Sequence, residues 1–534
     1  MPKNNEIKFG KYFNLPNPGL RAYFDIVRMG QPEVYRTPFG KGRSVSKILQ
    51  EWLPHLQKLS DSWPTLLDFE NDLAKKVGPM SVMKPLSERM PDIRHYYEDI
   101  LLPQKPIDDS AVRAVISEFG VSGGIQIRDL GRTVEEMKLS TNSGNPYFTK
   151  RRNVVDKTLP CSVQKYGDTT YQYLGPNANE WRICAVLGWR GQEGGPKIED
   201  VKQRVVWMFP FAVNILELAY YQPAILAAQN KNLVPAWVSM ESVDQRITRM
   251  FDTKAPDDLV VCTDFSRFDQ HFNPCMQSAA FKIIQSMLTS NERSEYWLKH
   301  IFPIKYNIPL AIQMGEVVEG AHGMGSGSGG TNYDETVVHR ALQYEAAQRA
   351  GARLNPNSQC LGDDGVLTYP GITVEDVVRT YSSHGQEMNT DKQYASKLDC
   401  TYLRRWHHKH YRVDDVCVGV YATTRALGRL CMQERYYDPE VWSSKAVALR
   451  QLSILENCKY HPLKEEFVEF CMKRDKYRLG LDIPNFLDDI ESVAKENMEN
   501  MPDFLGYVKT LQGDADSAHG IADWWIVKYL KSMR

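Results

Sequence analysis

Short apolar runs and longer helical stripes succeed one another along the chain, and their order predicts more than either does alone. Leu259 to Cys262 is a short apolar run ahead of Asp264, as a buried strand would be. Asn273-Pro274 then supplies an N-cap and a first-turn proline for a helix through Ile283 to Leu288. The stripe Val337, Val338, Leu342 and Ala346 predicts a helix over Thr331 to Arg349, which Gly351 is placed to end. Ser358 to Tyr369 reads as two β runs joined by the turn Gly362-Asp363-Asp364-Gly365. Upstream the pattern is less regular. Residues 1–70 mix Pro/Gly-rich loops with one amphipathic helix, Val45 to Leu59. From about 100 to 255, short β-like runs (Trp181 to Val186, Arg204 to Met208) alternate with Gly-rich loops such as Gly191 to Gly195. Beyond about 415 the signals turn helical, with Val447, Leu449, Leu452 and Leu455 the clearest stripe.

A chain of 534 residues exceeds what one core can organise, so several packed subdomains are expected. With 42% hydrophobic and 25% charged residues the composition is that of a globular protein. No segment reads as a membrane span: the most apolar stretch, Val205 to Tyr221, is interrupted by Pro210, Asn214 and Glu217. The N-terminus lacks the apolar core of a secretory leader. Ten cysteines without a C-x-x-C pair point to reduced thiols in a cytosolic setting. Lys and Arg number 65 against 66 acids, so bulk charge decides nothing and local clusters matter more. The clusters are Lys150-Arg151-Arg152, Arg404 to Arg412, and Lys473 to Arg478. A solvated face explains any one of them equally well.

The candidate chemistry lies in carboxylates at strand ends. Asp264 closes the first strand, and Asp363 and Asp364 sit at the hairpin turn. Paired carboxylates repel one another unless a cation intervenes. Two such points on adjacent strands would make an oxygen-rich site suited to Mg²⁺ or Mn²⁺. Two ions in such a site can stabilise both the attacking and the leaving oxygen of phosphoryl transfer. A Gly-Asp-Asp triplet alone arises by chance in roughly one chain in ten of this length. Its weight comes from the Gly-rich loop Gly323 to Gly330, which leads into the helix that starts at Thr331. Glycines permit close backbone approach, and a helix N-terminus favours anions.

In that order the chain resembles the viral RNA-dependent RNA polymerases. Asp264 to Asp269 is similar to motif A, Ser326-Gly327 with Thr331 to motif B, and Gly362-Asp363-Asp364 to motif C. Gly385 to Lys392 resembles motif D and Tyr402 to Arg405 motif E. Upstream, Thr141 to Pro146 resembles motif G and Lys202 to Val206 the basic motif F. The resemblance spans about 140 to 410, and the chain as a whole looks most like polymerases of small double-stranded RNA viruses, picobirnaviruses in particular. It implies a mixed α/β (α+β) right-hand fold with an antiparallel-sheet palm and a mostly helical thumb. The expected divisions are an N-terminal extension bridging fingers and thumb (1–70), fingers (71–255) and a first palm segment (256–272). A fingers insertion with a palm helix (273–320), the remaining palm motifs (321–412) and the thumb with the C-terminal tail (413–534) follow.

The resemblance also implies roles. Asp264, Asp363 and Asp364 would hold two Mg²⁺ or Mn²⁺ ions, and Lys392 would protonate the pyrophosphate. Asp269, Ser326, Thr331, Arg204 and Lys202 would bind the nucleotide. Ser143, Gly144, Pro146, Arg404 and Arg405 would face RNA. The family's motif B ends in an asparagine where this chain has Glu335, and Asn332, one turn earlier, is expected to replace it. His407, His408 and His410, between Cys400 and Cys417, fit no zinc spacing and suggest a basic strand facing RNA. The implied partners are template and product RNA, nucleoside triphosphates and a capsid protein. A monomer in the virion interior and host cytoplasm, with no membrane association, is expected. An inactive RNA-binding relative and a metal-dependent nuclease remain as alternatives. The C-terminal Trp524, Trp525, Lys528, Tyr529 and Lys531 allow two readings: a helix docked on the thumb, or a tail stacking on the first nucleotide in the product channel.

Overall fold

The structure is a computed structural model that describes residues 9–497 and 520–534. Of the N-terminal residues 1–19, in which no leader was read, the first eight lie outside the described part. The central sheet has four antiparallel strands, in the order Tyr394–Ser396, Val260–Thr263, Asp364–Leu367, Gln359–Leu361. Val260, Val261, Val366 and Leu367 are fully buried, as strands covered on both faces require. The helix Thr331–Arg349 is buried nearly all round, which makes it the centre of the palm. Asn273 caps the helix Pro274–Met287 as expected, accepting from the backbone N–H of Cys275 and Met276. The acidic turn is tighter than the sequence suggested. Only Gly362 and Asp363 lie between the strands, and Asp364 already pairs with Leu361.

The fingers carry a second four-stranded sheet. Lys202–Met208 pairs antiparallel with Ala185–Gln192, which runs parallel to Leu310–Gln313. Here the expected alternation of β runs and loops needs correcting, because helices Asp109–Phe119, Phe211–Asn230 and Met240–Thr253 occupy much of the region. Phe211–Asn230 escaped notice because it is apolar on every side and so shows no stripe. By length and composition it could cross a membrane, yet two-thirds of its apolar window is buried in the fold. Its interruptions, Asn214 and Glu217, are anchors for a neighbouring loop, as described below.

Two large apolar cores divide the molecule. One runs without a break through fingers and palm; the other unites the thumb with Val45, Ile48, Trp52, Leu56, Leu59 and Leu66 of the N-terminal region. Phe9, Tyr12, Phe13 and Phe24 pack instead on Cys184, Val186 and Ala311 of the fingers sheet. The N-terminal segment thus touches both halves. All ten cysteines are free thiols. The C-terminal helix Trp525–Ser532 docks on the thumb through fully buried Ile526, Val527 and Leu530. The backbone N–H groups of Trp525 and Ile526 donate to Glu456, at 3.2 and 2.9 Å, and the Lys464 ammonium lies over the Trp525 ring. Of the two readings of this segment, the contacts are those of a helix docked on the thumb, with its apolar face spent there.

Candidate active site

The antiparallel register that pairs Thr263 with Gly365 brings Asp264 beside the Gly-Asp-Asp turn. The backbone of Asp264 is clamped by Gln393, whose carboxamide accepts from the Asp264 N–H (2.7 Å) and donates to its carbonyl (2.9 Å). Nothing in the sequence singled out Gln393; only its position beside Lys392 hinted at it. The turn is gripped from the palm helix. Thr336 Oγ1 accepts from the Gly362 N–H at 3.0 Å, and His339 Nδ1 donates to the Gly362 carbonyl at 2.8 Å. Burial pushes His339 down to about 4, so the imidazole is neutral and its proton serves that bond. Thr336 and His339 were also missed, since both look like ordinary helix residues.

The carboxylates crowd one another. Asp363 opens to solvent at the cleft floor, yet its carboxyl is raised by surrounding protein and then by Asp269. Asp364, which accepts from the Leu403 N–H at 2.7 Å, is pushed up to about 7 by burial and then by Asp363. Such a site gains from any cation placed between its acids. Among the described residues no three His, Cys, Asp or Glu side chains form a ready-made ligand cage.

Facing the acids is a row of cations. Lys202 and Arg204, both exposed, stand on the fingers strand, and Arg404 on the turn after Tyr402. Arg204 and Arg404 act electrostatically on Asp363, and Asp264 acts on Lys202. Burial, and then Lys76, Arg404 and Arg204, lower Lys202, the signature of like charges gathered for an anion. Lys392 is exposed on the short helical turn Thr390–Lys392.

The Gly-rich loop is built as a packed latch. Gly327 lies where a Cβ would come within 1.6 Å of the Trp207 carbonyl, so no other residue fits. Glu217 accepts from the Gly329 N–H (3.1 Å) and the Ser328 hydroxyl, and Asn214 donates to the Gly327 carbonyl (3.3 Å). The Ser326 hydroxyl donates to the Val205 carbonyl at 3.2 Å, and the Thr331 hydroxyl points back to loop carbonyls at 3.2–3.3 Å. Both therefore shape the loop. The Met324 N–H donates to the Asp269 carbonyl at 2.9 Å, tying the loop to the turn after Asp264.

Residues 117–416 match the family described as viral RNA-dependent RNA polymerase. The chain is 63% identical over 530 residues to a potential RNA-dependent RNA polymerase of a human picobirnavirus, covering 98% of this chain and 99% of that one. This chain belongs to the viral RNA-dependent RNA polymerases. Its structure superposes on the crystal structure of the RNA-dependent RNA polymerase of a human picobirnavirus with a TM-score of 0.94, at 62% identity, over 98% of this chain and 99% of the other. An insertion-loop deletion mutant of such a polymerase gives 0.92, at 60% identity and the same coverage. Fold class and enzyme class are thereby established.

Several expected contacts of the polymerase fall elsewhere. Ser143, Gly144 and Pro146 are buried and offer RNA no surface. The Ser143 N–H donates to the Thr149 carbonyl, and Gly144, at φ +63°, would place a Cβ 2.6 Å from the Phe209 carbonyl. This turn is a structural joint between fingers segments. Of the adjacent pair, Arg404 is exposed on the turn, at φ 59°, whereas Arg405 starts the strand and packs inward over the Tyr421 ring at 5.7 Å. The strand Arg405–His408 is the middle of its sheet, and His407 is fully buried with Nδ1 bonded to the Cys417 carbonyl. His407 therefore offers RNA no surface, whereas His410 is exposed. Asn332 is engaged by the fingers, its Oδ1 accepting from the Trp237 indole N–H at 2.7 Å. The side chain that reaches Asp269 from this helix is that of Glu335.

Proposed function

We propose that this polymerase replicates and transcribes a viral RNA genome by two-metal-ion nucleotidyl transfer. The observation that carries the reading is the confrontation of Asp264, Asp363 and Asp364 with Lys202, Arg204 and Arg404 across one cleft. Asp264 and Asp363 would hold two Mg²⁺ or Mn²⁺ ions, with Asp364 in the outer position. Bound there, the ions supply a lowered pKa for the primer 3′-hydroxyl and neutralise triphosphate charge. Arg204 and Lys202 pair with the triphosphate, the guanidinium in bidentate fashion. Asp269 accepts from the ribose 2′-hydroxyl, the group that separates RNA from DNA precursors. Lys392 delivers a proton to the departing pyrophosphate. Arg404 meets the RNA backbone. The enzyme works as a monomer inside the virion and in the host cytoplasm, next to capsid protein.

A short RNA template incubated with the four nucleotides and Mg²⁺ or Mn²⁺ tests this. Full-length complementary strands that vanish on chelation are the expected product. Shortening of the template in place of synthesis would turn the reading towards a nuclease. Metal-independent RNA retention without products would point to an inactive binding protein.

A further inference from the structure

The fingers also carry a three-stranded sheet, whose strands Cys161–Tyr166, Thr169–Leu174 and Asn179–Arg182 pair antiparallel in that order. Alternation along each strand gives it two unlike faces. Cys161, Val163, Gln172 and Leu174 are buried on the inner one. On the outer one, the register sets Ser162 beside Tyr173, Gln164 beside Tyr171 and Tyr166 beside Thr169. The third strand adds Glu180 next to Tyr173 and Arg182 next to Tyr171, and no aliphatic side chain stands among them. Tyr166 is 55% exposed, and its ring meets that of Tyr171 edge to face at 6.0 Å. The Arg182 guanidinium lies over the Tyr171 ring at 5.9 Å, so a cation and a π-face are presented together. The Arg182 N–H donates to the carbonyl of exposed Lys11 at 2.9 Å, which brings a second cation to the rim. The segment 150–182 that builds the sheet holds six basic residues against three acidic ones, in a chain whose charges otherwise balance.

Single-stranded RNA matches such a face, because its bases have free π-faces and its backbone is anionic. A duplex hides the base faces in its own stack. Tyrosine and arginine serve protein interfaces as well, but the excess of cations in this segment favours a polyanion. The third strand runs on into Ala185–Gln192, whose Arg190 is the register partner of Arg204 in the cleft wall. Arg182 and Arg190 are therefore at most about 30 Å apart, the reach of the fully extended chain between them. One RNA strand can touch both places. We propose that this outer face is a second RNA site, a stacking platform for single-stranded RNA outside the catalytic cleft. Tyr166 and Tyr171 receive bases, Arg182 meets the backbone, and Ser162 and Gln164 offer hydrogen bonds to base edges. Every base has a π-face, so the platform accepts any sequence.

The test compares KM for two unstructured templates in nucleotide incorporation. One has about 20 nucleotides, roughly 68 Å at 3.4 Å each, and spans both places; the other has about 6 and spans only one. The double variant Tyr166→Ala, Tyr171→Ala should raise KM for the long template by about tenfold or more, the scale of base–ring stacking. The short template should change by no more than about twofold, and so should the Kd of an RNA duplex of the long sequence. Tyr166→Phe with Tyr171→Phe keeps the rings and should match the wild type within about twofold on both templates. Tyr166→Ala alone, at the most exposed ring, should show part of the loss without disturbing the fold. An unchanged KM for the long template in the double Ala variant would overturn the inference. So would an equal rise for both templates, an equal loss of duplex binding, or a loss in the Phe variants as large as in the Ala ones. Unaltered RNA use together with lost binding of capsid protein would make the face a protein contact instead.

Discussion

Two regions of this polymerase hold their acids under opposite terms. At the seam between fingers and palm, Asp334 lies wholly inside the protein with Lys305, Tyr221 and Tyr306 around it. One layer away, Asp363, Asp364, Asp269 and Glu335 share a cleft, and their mutual repulsion is left standing. A buried charge that meets its counter-charge within the fold is architecture. Acids that raise one another opposite a row of cations are what the proposed metal-bound triphosphate, carrying both signs, would meet. Asp334 and Glu335 are both buried on one helix, and it is their partners that differ.

The strongest way to break this comparison is Asp363→Ala. Incorporation should fall by at least ~10³-fold, the scale of a charge-stabilising group in phosphoryl transfer, as read by primer extension at saturating Mg²⁺. Thermal stability without metal should stay level or rise, because one of two repelling carboxylates is gone. A sharp drop in Tm would make Asp363 a structural acid and erase the contrast.

Lys305→Met probes the other region. Removing one partner of a buried ion pair strands the other, and a loss of about 3–5 kcal/mol in urea unfolding is expected. A loss within the ~0–1 kcal/mol typical of exposed pairs would show that the two tyrosines suffice for Asp334.

The effect that is smallest per pH unit sharpens the comparison with a third solution. Glu70, fully buried beside the thumb, accepts from the Thr423 hydroxyl and has no cation. Its neighbour His461 is pushed down to about 3 by burial and carries no charge. Burial raises Glu70 to about 8, so the folded protein keeps a proton that the unfolded chain releases above about 4.5. The folded form binds more protons in that window, and wild-type stability should therefore fall as pH rises from about 4.5 to 8, by up to ~1.4 kcal/mol per pH unit. Glu70→Gln should lose this component of the slope. Identical pH profiles for the two proteins would mean that Glu70 is ionised and has a partner in solution.

What the sequence alone determined about this polymerase is local or ordered along the chain. The strand before Asp264, the Asn273-Pro274 helix start, the helix Thr331–Arg349 and the Gly-Asp-Asp hairpin all arise from contacts within a few residues. Their succession resembled one enzyme family, and the acids of that family's motifs could be named. Tertiary structure decided everything that depends on a partner far along the chain. Gln393 reaches back to clamp Asp264, Glu217 and Asn214 latch the loop at Gly327 to Gly329, and Glu335 meets Asp269. Composition could not place Ser143, Gly144 and Arg405 inside, because the same polar residues serve a solvent face or a buried turn equally well. The largely apolar helix Phe211–Asn230 had no period to read until packing showed that most of it is buried. Side-chain periodicity records which face is dry; it carries no information on which distant group waits there, and at the catalytic cleft that distant group decides whether an acid is structural or chemical.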